Sequence, residues 1–541
     1  MSGISPFTYT PPLTDWLLIL PELSLLVAIF LTLMGDLILP DGRKSWLALV
    51  GLLGVVASAL SLVYVANQNT GTAFYGMVSI DGVSIFAGAL ILFALAGGLV
   101  LAPGYLERQK VDRQGEFYAL IQVSALGMLL MASSGSLMLL FAGLETLSLA
   151  LYVLCALPEI RPRAQEAGMK YFILSSFASA FLLYGISLTY GATGTTNLSG
   201  IKHFLTAHQA FNTQGFGPLL LIGMGLMAVG FGFKVSAIPF QAWTPDVYSG
   251  APTPVTAFMS VGTKVAAFAA LIRVFNIALF SQEFRWQPVL WALAALTMIF
   301  GNLMAVTQRD VKRMLAYSSV ANAGYILIAV TVGSPRALSA LLIYLATYAV
   351  ANIGAFGVVA LIERRDGRGT GLEDFNGLAR RAPALAAVMA IFLLSLAGIP
   401  PFAGFFGKYL VFFAAISTGQ SSQIALVIIG VLSSVLGMYY YLRVIWAMYF
   451  VEPQAQSAPA AVPTPAPALV AVGANGSDEE QPIAEAAAAP APAATPAPTT
   501  IYFPVGARFI LAVCAALTAL FIIVSSGFDS AAQQAIQSLL R

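Results

Sequence analysis

Charged residues are scarce in this chain. Only 9% of its 541 residues are charged, whereas soluble domains carry about 25%. So few charges cannot cover a water-exposed surface, which excludes a large soluble globular protein. Disorder is excluded for most of the chain, because 59% of the residues are hydrophobic. With a mean hydropathy of +0.84, the composition indicates a membrane protein. The 26 basic and 24 acidic residues nearly balance and leave no net field to attract nucleic acid.

Cysteine and histidine are also rare. Cys155 and Cys514 lie far apart in apolar runs, so they cannot form a four-cysteine zinc or iron–sulfur site. His203 and His208 share one loop and offer too few ligands for a metal. No complete phosphate-binding loop or dinucleotide fingerprint is present. We therefore expect no cofactor or metal in this chain, and any redox chemistry should occur on another chain.

Long apolar runs fill most of the sequence. A hydrocarbon core about 30 Å thick requires about 20 apolar residues per helix. The sequence predicts an all-α polytopic membrane protein with fourteen spans: 16–39, 46–66, 80–103, 116–134, 136–157, 168–190, 217–238, 254–276, 288–307, 313–333, 337–362, 384–416, 422–448 and 506–527.

Basic residues concentrate in alternate loops, which predicts an orientation. Sixteen lie on one side of the membrane, including Arg43, Arg161, Lys312 and Arg364, and five on the other, including Lys202. Basic loops are typically cytoplasmic. Both termini are then expected on the non-cytoplasmic side.

Two spans carry signs of interruption. Lys234 is followed by Pro239, and proline disrupts a helix interior. Span 384–416 is too long for one crossing and contains Pro400 and Pro401. Broken helices in corresponding positions indicate an inverted-repeat transporter. We predict N-terminal helices in 1–115, a first five-helix repeat in 116–276 (helices 4–8, helix 7 broken) and a second in 288–448 (helices 9–13, helix 12 broken).

The C-terminal part has a different composition. Residues 451–500 contain 10 prolines and 17 alanines, a mixture that resists helix and sheet and stays extended. The sequence predicts a cytoplasmic linker there, followed by helix 14 in 501–541. A spacer without a binding role is the favoured interpretation.

Five charged residues within the spans are the candidate functional residues. Glu145 lies about 14 Å along its helix, and Lys264 is also central; Lys234 and Lys408 lie beside the predicted breaks, and Lys170 is nearer the surface. Such charges are costly in lipid and usually face the protein interior or water.

Proton movement is the chemistry that these residues suggest. A lysine removed from water holds its proton less strongly, and a nearby carboxylate restores that hold. Changing the distance between Glu145 and Lys234 could therefore switch the lysine between its protonated and its neutral form. The structural alternatives are snorkelling, mainly for Lys170, and a Glu–Lys pair that only joins two helices. Polar residues for a relay are Ser148, Ser175, Ser176, Ser236, Thr256, Thr263, Tyr317, Ser318 and Ser319.

Long motifs resemble a known family. FKVSAIPFQAWTPDVYSGAPTPVTAFMSVGTKVAAFAALIR, LSLAGIPPFAGFFGKYL and LLFAGLETLSLALYVL look like helices 7–8, 12 and 5 of the antiporter-like proton-pumping subunits of respiratory complex I (NADH-quinone oxidoreductase). The GIPPFAGFFGK wording and the fourteen spans are most similar to the N-type branch of these subunits.

The resemblance implies roles for the five residues. Glu145 and Lys234 would form the modulating pair, Lys264 the central relay and Lys408 the exit-side carrier, while Lys170 would assist proton uptake or transmission between subunits. One departure is Gln241, where the family often has a histidine; glutamine cannot titrate, so water would have to take part there. FMN, iron–sulfur clusters and quinone are expected in partner subunits, and other membrane subunits of a large hetero-oligomer would flank this chain.

Two rival functions remain open. A multi-subunit cation/proton antiporter of the Mrp type has the same broken helices and lysines without a redox partner. A structural membrane scaffold would leave the midplane charges dispensable. A bacterial plasma membrane is expected, because plastid relatives lack the long Ala-Pro insert; the thylakoid membrane is the alternative.

Overall fold

The computed structural model describes residues 11–68, 71–111, 113–157, 161–207, 217–364, 367, 369–452 and 504–540. Helices make up most of this part of the chain. They are α1 (Leu13–Leu18), α2 (Leu20–Ile38), α3 (Leu47–Asn67), α4 (Gly82–Gln109), α5 (Gln114–Ala132), α6 (Leu137–Ala156), α7 (Pro162–Thr193), α8 (Leu198–Ala207), α9 (Gly217–Val235), α10 (Trp243–Gly250), α11 (Thr253–Leu271), α12 (Glu283–Val306), α13 (Val311–Val332), α14 (Pro335–Ile362), α15 (Leu378–Arg381), α16 (Pro383–Ala397), α17 (Ala403–Ile416), α18 (Ser421–Phe450), α19 (Val505–Ala519) and α20 (Phe521–Leu540).

The predicted spans correspond closely to these helices. Within the described residues, 12 helical segments are long and apolar enough to cross a membrane. The twelfth predicted span is divided between α16 and α17, and the fourteenth between α19 and α20. The all-α polytopic class is therefore confirmed.

Both expected interruptions are present. α9 ends at Val235, directly after Lys234, and Ser236 takes the left-handed conformation with φ +66° before α10 begins at Trp243. α16 ends at Gly398 with φ +83°, which glycine adopts without a steric penalty. The first break is buried from Ser236 to Ile238 and exposed at Pro239, and the second is exposed at Pro400 and Pro401. Irregular backbone is tolerated in a membrane protein where protein or water covers it.

Three features differ from the sequence prediction. A small antiparallel hairpin, β1 (Gly71–Ala73) with β2 (Val78–Ile80), connects α3 to α4. The loop that carries His203 contains the helix α8. The last span is not one helix over 506–527, because it is interrupted at Leu520. The second part, α20, reaches the first residue of α4, where Ser538 Oγ accepts a hydrogen bond from Gly82 N at 2.7 Å.

Parts of other predictions lie outside the description. The linker 451–500 falls outside the described residues except for Val451 and Glu452, and so does His208. The assignments of linker, domains and repeats stay predictions.

The most buried helices form the centre of the bundle. The segment Thr253–Ala278 consists of α11 and the π-helical turn that follows it, and all of its residues except Ile277 are buried. In their most apolar stretches, α13 and α14 have 89% of their residues buried, against 33% for α2 and 39% for α18. Helices α11, α13 and α14 are thus shielded on every side, while α2 and α18 expose faces suited to lipid or neighbouring subunits.

Ends of several helices that carry basic residues meet on one side of the molecule. Arg161, before α7, donates hydrogen bonds to Gln109 at the end of α4 and at 2.9 Å to Glu363 after α14. Arg443 near the end of α18 donates at 3.0 Å to the carbonyl of Val306 at the end of α12. We call this side, marked by Arg161, Lys312 and Glu363, the basic end.

Features of the two halves recur at one spacing. Ser136 caps α6 and forms a β-bridge with Asn197, and Asp310 caps α13 and forms a β-bridge with Gly371. Asp310 lies 174 positions after Ser136, and Gly371 lies 174 positions after Asn197. The crossings of α5 with α6 and of α12 with α13 follow the same spacing: a Cβ on Gly127 would meet Leu147 N, and one on Gly301 would meet Ala321 N. This recurrence supports the predicted repeat.

Gly127→Ala should separate α5 from α6. An added Cβ would lie 2.4 Å from Leu147 N and 2.7 Å from the Gly143 carbonyl, so the backbones must move. Overpacking of this kind costs about 1–3 kcal/mol, measurable as a lower midpoint of thermal unfolding in mild detergent. Gly225→Ala is the matched control, because no atom lies within 4 Å of its Cβ position. Equal midpoints for the two variants would contradict the close crossing.

Candidate functional site

Three lysines lie deep in the bundle without a carboxylate partner. Lys234, Lys264 and Lys408 expose 3%, 1% and 6% of their surface. Among the described residues, none of the three forms an ion pair. Their amines bind hydroxyl and carbonyl oxygens instead. Because an unpaired buried cation is costly, this arrangement differs from a structural Glu–Lys pair.

Lys234 occupies a polar pocket between α6, α7 and α9. Its Nζ donates to Ser148 Oγ at 2.6 Å and to Ser175 Oγ at 3.4 Å, and it lies 5.5 Å from the centre of the Tyr171 ring. Tyr171 stacks on Trp243 of α10, with centroids 4.6 Å apart. The ring beneath Lys234 is therefore fixed by the helix that follows the break.

Glu145 does not bind Lys234 directly. It stands one turn before Ser148 on α6, and residues three apart are neighbours on a helix surface. Its Oε1 is buried without a hydrogen-bond partner in the described part of the chain. Ser148, which accepts a hydrogen bond from Lys234, is thus a neighbour of both members of the predicted pair. In this geometry the pair is open, because no ion pair joins its two charges in the described part of the chain.

Lys264 lies on the fully buried α11. Its Nζ donates to the backbone carbonyl of Ser319 on α13 and lies 5.7 Å from the centre of the Tyr348 ring. The Tyr348 hydroxyl donates to Ser319 Oγ at 2.8 Å. Lys264 is therefore the meeting point of α11, α13 and α14.

Lys408 lies on α17, after the second break, and is the last of the three buried lysines along the chain. Its Nζ donates to the carbonyls of Leu396 and Ala397 at 3.0 and 3.1 Å and to Ser434 Oγ at 3.0 Å. The last two residues of α16 thus supply carbonyl acceptors, since the last carbonyls of a helix have no intrahelical partner.

A stripe of polar residues on α13 leads from Lys264 towards Lys408. After Ser319, the next polar residue is Asn322, whose Oδ1 accepts a hydrogen bond from the Tyr344 hydroxyl at 2.8 Å. Asn322, Tyr344 and Lys408 line one small cavity of about 10 Å³, the space of a single water. One ordered water there would join the stripe to the Lys408 amine.

Lys170 lies apart from this row. Its side chain is 42% exposed and pairs with Glu166 and Asp246, each at 2.8 Å, and Arg313 binds the second oxygen of Asp246 at 2.8 Å. Burial acts to raise the pKa of Asp246, but the hydrogen bonds and charges of Lys170 and Arg313 lower it below the usual value. The structure places Lys170 in a surface ion-pair group that links α7, α10 and α13.

The departure at Gln241 leaves a polar atom in the first break. Gln241 Oε1 is buried without a partner among the described residues. A hydrogen bond also links this break to α12, because Thr297 Oγ1 accepts from Ile238 N at 2.9 Å. The first break is thereby anchored to the second half of the chain.

Sequence reasoning missed two buried charge clusters. Arg273 pairs with Asp81 at 2.8 Å, with side chains 3% and 8% exposed. Glu363 pairs with Arg161 at 2.9 Å and with Lys312 at 3.7 Å. Glu363 and Lys312 stand in charged runs, LIERR and RDVKR, that read as loops. Arg273 alone left a signal, because it lies within the apolar span 254–276.

No metal-binding group accompanies these sites in the described residues: no cluster of three or more His, Cys, Asp or Glu side chains occurs there. The two cysteines are buried and unbonded to each other. Cys155 Sγ instead contacts the sulfur of Met259 at 4.0 Å.

Comparison with known proteins identifies relatives of the chain. The family described as "NADH:quinone oxidoreductase/Mrp antiporter, TM" matches residues 134–437. The NADH-quinone oxidoreductase subunit N of Trichlorobacter lovleyi is 43% identical over 433 residues, which cover 80% of this chain and 87% of the relative.

Solved structures share the fold. A chain of respiratory complex I from Thermus thermophilus with bound aureothin is 32% identical, with a TM-score of 0.73 over 95% of this chain and all of that one. A chain of the Mrp complex from Dietzia sp. DQ12-45-1b has a TM-score of 0.74 at 23% identity, over 98% of this chain and 100% of its own length. The latter likeness concerns the fold alone.

Proposed function

The chain belongs to the family of NADH-quinone oxidoreductase N subunits, and we propose that it carries protons across the membrane through Lys234, Lys264 and Lys408. The driving reaction, NADH oxidation and quinone reduction, would take place in partner subunits of complex I. FMN and iron–sulfur clusters would be held there. Glu145, one turn before the Ser148 that binds Lys234, would modulate the charge state of Lys234.

One observation carries this proposal: three buried amines bind only hydroxyls and carbonyls, with no carboxylate bound to any of them in the described residues, and polar side chains lie between Lys264 and Lys408. An amine that hydrogen-bonds only neutral groups can exist with or without its proton. A lysine held by a carboxylate would stay charged. Polar side chains and a water-sized cavity between such amines are what a proton relay requires.

The proposal includes an orientation. Basic loops favour the cytoplasm, so the basic end would face the cytoplasm of a bacterial plasma membrane and both termini the opposite side. Protons would then enter from the basic end, and Lys408 would release them. Lys170, at the surface, would stabilise the helix packing or assist uptake rather than form part of the buried row.

Lys408→Met tests the relay at its end. Methionine fills a similar space but holds no proton. We expect NADH-driven proton uptake by vesicles containing the assembled complex to fall about tenfold, less than the full effect of a proton-transfer group because a water beside Ser434 can partly substitute. Lys202→Met, an exposed lysine of α8, is the matched control and should leave uptake unchanged.

The same preparation separates the rival functions. Loss of uptake in Lys408→Met, with NADH-to-ferricyanide activity retained, supports the proposal, and unchanged uptake contradicts it. A Mrp-type antiporter would instead copurify without flavin or iron and exchange sodium for protons in vesicles. A scaffold would tolerate the substitution.

A further inference from the structure

A second charged site, apart from the lysine row, lies at the basic end. Glu363 directly follows α14 and is almost fully buried, with 2% of its side chain exposed. Its two carboxylate oxygens receive different partners. Oε1 accepts from Arg161 at 2.9 Å and from the Tyr105 hydroxyl at 3.0 Å. Oε2 accepts from Thr253 and faces the Lys312 amine at 3.7 Å.

Several cations surround this carboxylate. Glu363 faces Arg161 and Lys312, and the guanidinium of Arg108 donates to the nearby carbonyls of Leu361 and Ala360 at 2.9 and 2.7 Å. Removing a charge from water is costly unless it is paired. Arginine does not release its proton in proteins, so Lys312 is the cation of the cluster that can lose its proton.

Access to the cluster comes from one side. The side chains of Lys312 and Glu363 are each 2% exposed, whereas that of Arg161 is 15% exposed. Arg161 therefore stands between the surface of the basic end and the buried pair. A small displacement of its guanidinium would admit water to Glu363 and Lys312.

The inner side of the cluster points towards Lys264. Lys312 begins the polar stripe of α13, seven residues before Ser319, about 10 Å along the helix. The Lys312 amine donates at 2.7 Å to the carbonyl of Ala251, just after α10. That helix also carries Tyr248, whose buried hydroxyl has no hydrogen-bond partner in the described chain and whose carbonyl accepts a hydrogen bond from Thr256 of α11 at 3.1 Å.

We propose that Lys312 and Glu363 form a proton-loading pair that supplies Lys264 from the basic end. The Lys312 ammonium gives one proton, through the Tyr248 hydroxyl and intervening water, to the neutral amine of Lys264 and becomes a neutral amine itself. It then takes one proton from water admitted past Arg161. Glu363 stays ionised and favours the reloading. This inference rests on the proposed function.

Other charged groups around the pair set its behaviour. Tyr105 and Arg108 face it from α4, Arg161 from the segment before α7, and Arg364 follows Glu363 in the chain. Asp310, which caps α13, acts on Lys312 by its charge. In Glu363→Gln, Lys312 loses its nearest negative partner and holds its proton less strongly.

Lys312→Arg separates proton loading from simple pairing. Arginine keeps the positive charge and the hydrogen bond but cannot release a proton. In the intact complex, NADH-driven proton uptake should fall about tenfold relative to the parent, with assembly followed by NADH-to-ferricyanide activity. Uptake at the parental rate would overturn the proposal, because a structural pair accepts arginine.

Glu363→Gln provides the decisive profile if the arginine variant does not assemble. The alkaline limb of the pH dependence of uptake should move to lower pH, because the variant's Lys312 is neutral over a wider range. An unmoved limb would overturn the inference. Lys264→Met is assayed in parallel. If proton uptake by Lys264→Met is normal, the proposed function fails. If Lys264→Met loses uptake while Lys312→Arg retains the parental rate, only the loading pair is rejected.

Discussion

Lys264→Met should lower NADH-driven proton uptake by about a hundredfold, the contribution of a well-positioned proton-transfer group. Lys264 is the central amine of the row, and every residue of α11 is buried. The only polar group that binds its amine in the described chain is the carbonyl of Ser319, which accepts a hydrogen bond but carries no proton.

The measurement is uptake by vesicles containing the purified complex, normalised to NADH-to-ferricyanide activity. Methionine is apolar and similar in length, so the packing of α11 against α13 should persist. Thr263→Val is the matched control on the same helix, because the Thr263 hydroxyl only donates to the Met259 carbonyl of the preceding turn. A parental rate in Lys264→Met would refute a relay through α11.

Arg273→Met should destabilise the fold more than any other single change considered. Arg273 binds Asp81 and also donates to the Ala132 carbonyl at 2.8 Å, which joins the π-helical turn after α11 to α4 and α5. Removing one partner leaves a buried carboxylate without its cation, which costs about 3–5 kcal/mol. The expected result is a large loss of assembled complex on a native gel, with an early thermal transition of what remains.

The double variant Arg273→Met with Asp81→Asn isolates the cause. Asparagine caps helices about as well as aspartate, so it can still accept the Ser84 N–H hydrogen bond that Asp81 receives at 3.0 Å. With the stranded charge gone, much of the lost stability should return. If the double variant is no more stable than Arg273→Met, packing rather than charge accounts for the loss.

Periodic and compositional features of the sequence were sufficient for the architecture. Apolar runs of membrane length gave the spans, and Pro239, Pro400 and Pro401 marked the breaks, because proline removes a hydrogen bond from the interior of a helix. The three buried lysines could also be found from the sequence, because a charged residue inside an apolar run stands out without any knowledge of its spatial neighbours.

Contacts between distant segments could not be predicted in this way. Glu363 and Lys312 stand at helix ends, where charged residues usually meet water, and only the packing of α4, α11, α13 and α14 around them makes them interior. That Lys234 binds Ser148 and Ser175 rather than Glu145 likewise depends on side-chain geometry. The split of the last span at Leu520 lacks a proline and had no sequence signal.

The burial of α11 has a consequence for biosynthesis. The groups that accommodate Lys264 belong to α13 and α14, and Tyr348 is translated 84 residues later. At about 5–20 residues per second, a helix bearing a charge that costs about 2.5–3.5 kcal/mol in lipid waits about 4–17 s for its companions. During that interval the insertion machinery, rather than the finished protein, must shelter the ammonium group.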